Sequence, residues 1–150
     1  MMITMLNPKF YLSMICYVLG LITNKRLSAI KLFEKSLKYY SLPKHSYLCY
    51  KEIGIIYYYN DFFQKAKYYL HKAEALINED ERDTELLTFL GLVYYAEANY
   101  PAVKQYLEKA LAKYGKFEWI KKDFIQTHLK ASEFMQNSGD AGFGENSGDT

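Results

Sequence analysis

IGIIYY occupies residues 53–58 and LGLVYY occupies residues 90–95, so one six-residue pattern occurs twice at a separation of 37 positions. The agreement continues downstream, where AKYYLHKAEAL (66–76) precedes VKQYLEKALAK (103–113) by the same 37 positions. A weaker third copy lies another 37 positions upstream, at SAIKLFEKSLKYY (28–40). In its first half, Tyr17 takes the position of the glycine and Gly20 that of the tyrosine. Repetition at this period is typical of stacked helical arrays.

Each repeat has the pattern of two helices. In the first half of the middle repeat, apolar or small residues fall at i, i+3, i+4 and i+7 from Tyr50 to Tyr57. A break at Asn60-Asp61 follows, and small or apolar residues then recur at helical spacing from Ala66 to Ala73. The chain has only three prolines, and five of its eight glycines come after residue 114. With so few helix-breaking residues before that point, the sequence predicts an all-α fold.

These motifs resemble the tetratricopeptide repeat family, whose first helix carries W-x2-L-G-x2-Y and whose second carries A-x3-F followed by alanine. The first pattern reads Tyr50-x2-Ile53-Gly54-x2-Tyr57 and Leu87-x2-Leu90-Gly91-x2-Tyr94. The second reads Ala66-x3-Leu70 with Ala73, and Val103-x3-Leu107 with Ala110. The resemblance implies antiparallel helix pairs stacked as a short right-handed α-solenoid. The chain departs from the family in its 37-residue period and in Ser41, Asn78 and Gly115, which stand where the family's closing proline would be.

The repeat boundaries predict the organisation of the whole chain. We expect an N-terminal extension over residues 1–9, repeats over about 10–43, 47–80 and 84–117, a capping helix over 116–135 and a disordered tail over 136–150. The apolar run at residues 10–22 is predicted to be a core helix. At thirteen residues it is too short for a bilayer, which takes about 20, and it lacks the basic region of a signal peptide.

The sequence offers little for catalysis or metal binding. His45, His71 and His128 lie in separate segments, and we interpret them as exposed helical residues. The acidic run at residues 79–81 is interpreted as a solvated linker. No nucleophile, phosphate-loop or dinucleotide motif occurs, so we predict a protein that is not an enzyme and holds no metal or cofactor. Cys16 and Cys49 are predicted to be buried free thiols, which suits a reducing compartment such as the cytoplasm.

By the resemblance, the first helices should line a concave binding groove. The expected lining from the first repeat is Tyr11, Met14, Val18, Leu21 and Ile22. From the second repeat it is Leu48, Lys51, Glu52, Ile55, Tyr58 and Tyr59. From the third it is Glu85, Thr88, Phe89, Leu92 and Tyr95. A face this apolar and aromatic either binds a partner or is covered by the terminal helix or by further subunits, and the sequence leaves both alternatives open.

The character of the groove narrows the class of partner. Some members of the family grip a chaperone's terminal carboxylate with several cations, whereas this groove carries only Lys51. A peptide or amphipathic helix with large apolar anchors suits it better, and self-association is a further possibility. The alternative is an RNA-binding array of the pentatricopeptide type, against which the net charge of +2 argues. Chaperone, assembly factor and complex subunit are equally compatible with the residues, and no membrane partner is expected.

Overall fold

The computed structural model describes residues 7–23, 26–116 and 118–141, and in those ranges the regular structure is helical, without a β-strand. The helices are α1 (Pro8–Ile22), α2 (Arg26–Tyr39), α3 (Pro43–Tyr59), α4 (Phe63–Glu74), α5 (Thr84–Ala96), α6 (Tyr100–Ala112) and α7 (Lys122–Ala141). A 3₁₀ turn at Glu79–Glu81 precedes α5. The chain divides into an N-terminal unit, Met1–Arg82, and a C-terminal unit, Asp83–Thr150.

The three prolines each open a helix. Pro8, Pro43 and Pro101 lie in the first turns of α1, α3 and α6, where a missing N–H costs no helical hydrogen bond. Pro43 begins a helix, although the sequence suggested that it closes the first repeat. As a result α3 starts four residues before the expected repeat boundary at residue 47.

The turns of the second and third hairpins have the same backbone geometry. Asp61 and Ala98, 37 residues apart, have positive φ angles of 61° and 56°. Around the first of them, the Phe62 N–H donates to the Tyr57 carbonyl at 3.0 Å, and the corresponding bond 37 residues later has the same length. This is a Schellman turn, in which one left-handed residue reverses the chain and satisfies the last carbonyls of the helix. The repetition seen in the sequence is therefore also a repetition of backbone structure.

Glycine allows the two helices of each of these hairpins to touch. A Cβ atom added to Gly54 would lie 2.7 Å from Cγ of Leu70, and one added to Gly91 would lie 2.5 Å from Cδ2 of Leu107. Real Cβ atoms do not approach carbon so closely, so these positions have no room for a side chain. Both leucines are fully buried.

The first hairpin has the same contact in a shifted register. Gly20, not Tyr17, lies at the glycine position, since its added Cβ would meet the Phe33 ring at 2.8 Å. Gly20 precedes Gly54 by 34 residues, so the constant shift of 37 misaligned α1 by three positions. Three residues turn a helix by about 300°, which returns nearly to the same face. Hydrophobic periodicity alone cannot detect such a shift.

Stacked tyrosine pairs reinforce the second and third hairpins. The Tyr57 and Tyr69 rings lie 5.5 Å apart with an interplanar angle of 18°. The equivalent rings, Tyr94 and Tyr106, lie 5.6 Å apart at 10°. These rings join the two helices of each hairpin, so the first tyrosine of each YY pair contributes to internal packing.

The terminal boundaries differ from those expected. The final helix runs from Lys122 to Ala141, whereas the sequence predicted 116–135. Before the helix begins, the Tyr114 hydroxyl donates to the Ile120 carbonyl at 2.8 Å. The helix continues through residues 136–141, which were assigned to the disordered tail, and α1 already begins at Pro8. The rest of the predicted tail (142–150) and extension (1–6) lies outside the described residues.

Candidate partner-binding surface

The predicted groove residues divide into three groups by exposure. Tyr11, Met14, Val18, Leu21, Ile22 and Tyr59 are exposed. Leu48, Glu52, Tyr58, Glu85 and Tyr95 are half-buried. Lys51, Ile55, Thr88, Phe89 and Leu92 are buried. The prediction treated all of them as one solvent-facing surface, and the structure corrects this for the buried group. The exposed residues are concentrated on α1 in the N-terminal unit.

In the C-terminal unit, the segment after α6 covers part of the α5 surface. The Trp119 ring lies 6.2 Å from the Phe89 ring, and its Nε1–H donates to Oε1 of Glu85 at 2.8 Å. Further along, the His128 ring of α7 meets the Tyr95 ring edge-on at 5.6 Å. Of the two alternatives for the groove, coverage by the chain's own C-terminal segment applies to these α5 residues.

Helix α1 has the opposite character to a core helix. Only Ser13, Cys16 and Gly20 are buried, and they are the small side chains that allow α2 to approach. Eight of the seventeen exposed large hydrophobic residues in the described chain lie on this one helix, with exposed fractions of 37–68%. We call them the α1 face: Tyr11, Leu12, Met14, Ile15, Val18, Leu19, Leu21 and Ile22. The predicted core helix therefore buries its small side and exposes its large apolar side.

The aromatic residues at the end of α3 form a local cluster. Tyr58 lies 5.7 Å from both the Tyr59 and Phe63 rings, and burial raises the pKa of the Tyr58 hydroxyl. The Arg26 guanidinium lies 4.9 Å from the centre of the Tyr59 ring and donates to the Tyr59 carbonyl at 3.3 Å. Tyr59 thus combines an exposed ring with a bound cation, while Tyr58 contributes mainly to packing.

Lys51, the one cation expected in the groove, is buried. Its ammonium lies 5.5 Å from the centre of the Tyr47 ring, a cation–π distance. Lys44 pairs with Glu81 at 3.1 Å, and both residues line a cavity of about 240 Å³ together with Tyr47 and Leu48.

A buried polar cluster that the sequence reasoning missed joins α1, α2 and α3. Nε2 of His45 lies 2.9 Å from Oγ of Ser13 and 2.8 Å from Oγ of Ser36. Each serine hydroxyl also lies within 2.9 Å of the other's carbonyl, and Sγ of Cys49 is 3.6 Å from the same nitrogen. His45 was interpreted as an exposed helical residue, and the structure corrects this. One signal was present: Ser36 occupies the position that Ala73 and Ala110 hold in the later repeats.

The environment of this cluster makes it a packing element. Burial lowers the pKa of His45 and raises the pKa of the Cys49 thiol to about 11, so both groups are neutral near pH 7. The side chains of Ser13 and Ser36 are fully buried, which leaves no path for a substrate to their hydroxyl groups. The hydrogen bonds instead satisfy polar groups where the three helices meet.

His71, Glu74 and Arg82 form a second group of polar contacts, outside the His45 cluster. His71 contacts Glu74 at 2.9 Å, and Glu74 in turn pairs with Arg82 at 3.0 Å. In the part of the chain that the structure describes, no three His, Cys, Asp or Glu side chains come together as a metal site. None of the described helices has the length and apolar character required to cross a membrane.

No protein-family model matches the chain, and no curated protein matches its sequence.

Proposed function

We propose that this protein is a non-catalytic interaction module of the tetratricopeptide type. In this proposal its helical hairpins stack as a short right-handed α-solenoid and bind another protein through the first helices. The support is the 37-residue sequence repeat together with the matching turns, glycine contacts and tyrosine stacks of the hairpins. The glycine of the family's first-helix motif corresponds to Gly54 and Gly91, which are the residues at these helix contacts.

The observation that carries the proposal is the exposed α1 face. Soluble monomers rarely leave large contiguous apolar surfaces in water, and such surfaces commonly mark interaction sites. Pro8–Ile22 contains one charged residue, Lys9, so a complementary partner would present large apolar anchors and few charges. An amphipathic helix or peptide meets that requirement.

The proposed binding surface comprises the exposed groove residues of the N-terminal unit. Its members are Tyr11, Met14, Val18, Leu21, Ile22 and Tyr59. As part of the same proposal we place the protein in the cytoplasm, where the free thiols Cys16 and Cys49 would stay reduced. A chaperone, an assembly factor or a complex subunit would each use such a surface.

A displayed library of peptides tests the proposal. We would select peptides on the full chain at nanomolar concentration and measure their affinity by fluorescence polarisation. We expect enriched sequences with apolar anchors at i, i+3 or i+4 and i+7, and at least a tenfold loss of affinity on Met14→Glu with Val18→Glu.

The matched control is Phe134→Glu with Met135→Glu, which adds the same charge at exposed apolar positions of α7 and should retain binding. Circular dichroism of all variants establishes that the helices persist. Equal affinity for the wild type and the α1 variant, or no enrichment at all, would contradict the proposal.

A further inference from the structure

We propose that the α1 face binds the α1 face of a second copy of this chain, forming a symmetric antiparallel dimer. This inference rests on the proposed function and specifies its partner. It begins from the unequal sides of α1, of which the small side packs on α2 and the large apolar side faces solvent.

The area of the α1 face suits a dimer. If a fully exposed large apolar side chain contributes about 200 Å², the eight side chains leave roughly 800 Å² in solvent at their observed exposures. That is more than the roughly 300–600 Å² of the largest apolar patch on a typical monomer. It is close to the roughly 800 Å² per partner that a standard stable interface buries.

The spacing of the apolar residues suits helix pairing. Leu12, Ile15, Leu19 and Ile22 follow one another at intervals of three, four and three residues. This is the spacing of a coiled-coil seam, in which side chains of one helix insert between those of another. Tyr11, Met14, Val18 and Leu21 repeat the same intervals one position earlier. Two adjacent stripes give a face broad enough to accept a second helix and the flank of its hairpin.

Charge favours a second copy over a lipid surface. Helices that lie on membranes carry lysine and arginine along the polar side next to their apolar face. The corresponding side of α1 consists of Ser13, Cys16 and Gly20 and is packed against α2. In an isologous interface, the same surface of both copies meets. Because the α1 face is uncharged, pairing it with itself brings no like charges together.

The helix dipole of α1 favours the antiparallel arrangement. In a parallel pair the like ends of the two helix dipoles would lie side by side. In an antiparallel pair the positive N-terminal end of each α1 would lie beside the negative C-terminal end of its partner, whose last turn has no basic residue. The two-fold axis would then pass near Ile15, at the centre of Pro8–Ile22.

The test is the mass of the full chain in solution, measured by light scattering after gel filtration over a range of concentrations. We expect twice the 17.6 kDa mass of the chain. Ile15→Glu with Leu19→Glu should give the monomer, and Phe134→Glu with Met135→Glu should remain a dimer. A wild-type monomer throughout the range, or a dimer that survives the α1 substitutions, would overturn the inference.

Disulfide trapping tests the orientation even if the glutamate variant fails to fold. Ile15→Cys should form a covalent dimer on oxidation, because the two copies of this residue meet at the axis. Leu12→Cys should not, since the antiparallel arrangement separates its two copies by about 9 Å along the helices. The wild type, with Cys16 and Cys49 buried, is the background control. Preferential trapping through Leu12→Cys would overturn the antiparallel arrangement.

Two outcomes separate this inference from the proposed function. A monomer that still binds selected peptides through α1 would retain the proposed function and overturn the dimer. A monomer that sediments with phosphatidylcholine–phosphatidylserine vesicles through α1, and binds no peptide, would overturn both.

Discussion

A Cβ atom on Gly54 would lie 2.7 Å from Cγ of Leu70, so α3 has no room for a methyl group where it meets α4. We expect Gly54→Ala to lower the free energy of unfolding by about 1–3 kcal/mol, because the added carbon forces packed groups apart. Urea denaturation followed by circular dichroism measures the change.

The control for this prediction is Gly139→Ala. Gly139 lies in α7 with no atom near its would-be Cβ, so alanine should stabilise the helix by about 1 kcal/mol through its higher helix propensity. If the two variants had the same free energy of unfolding, the close contact at Gly54 would not explain any loss of stability.

Ala98 occupies the left-handed region of the backbone, with φ of 56°. That conformation costs an L-residue about 1–2 kcal/mol, and glycine avoids most of the cost. We therefore expect Ala98→Gly to raise the unfolding free energy by about 1 kcal/mol, measured by urea denaturation. Ala131→Gly, inside α7, should lower it by a similar amount. A loss of stability in Ala98→Gly would contradict the assigned turn.

His45 should make the stability of the N-terminal unit dependent on pH. Burial lowers its pKa in the folded chain below the ordinary value of 6.5, so the unfolded chain binds the proton more readily. The contribution of neutral His45 is present above pH 6.5 and is lost as pH falls from 6.5 through the lowered folded pKa. We expect the unfolding free energy to decrease over that interval in the wild type and less steeply in His45→Gln. An identical slope in both proteins would assign the effect to other groups.

Trp119 should contribute to stability although more than half of its surface is exposed. Trp119→Ala removes the contact with Phe89 and the hydrogen bond to Glu85, and we expect a loss of about 1–2 kcal/mol in urea denaturation. Trp119→Phe should recover part of it by keeping a ring against Phe89. Phe134→Ala is the control, because Phe134 is still more exposed. Equal behaviour of Trp119→Ala and Phe134→Ala would mean that exposure alone sets the effect.

The hairpins were predictable because their determinants are local. Gly54 and Leu70, like Gly91 and Leu107, fall at fixed separations within one repeat, and a repeated pattern reports such contacts directly. The register of α1 was not predictable from periodicity, since moving the glycine position from Tyr17 to Gly20 keeps the same helix face.

The binding surface was harder to predict because its exposure depends on distant residues. Trp119 donates a hydrogen bond to Glu85, which lies 34 positions earlier in the sequence. The hydrophobic pattern of α5 alone does not predict that contact. The His45 cluster likewise draws Ser13 and Ser36 from two other helices. In both cases tertiary packing determines which side chains remain available.

The two units also carry separate natural probes of their opening. The only tryptophan of the chain, Trp119, lies in the C-terminal unit, and both thiols, Cys16 and Cys49, are buried in the N-terminal unit. Intrinsic tryptophan fluorescence would therefore follow one unit, while the rate of thiol labelling would follow the other. The same unmodified chain can thus reveal whether its halves unfold together or in sequence.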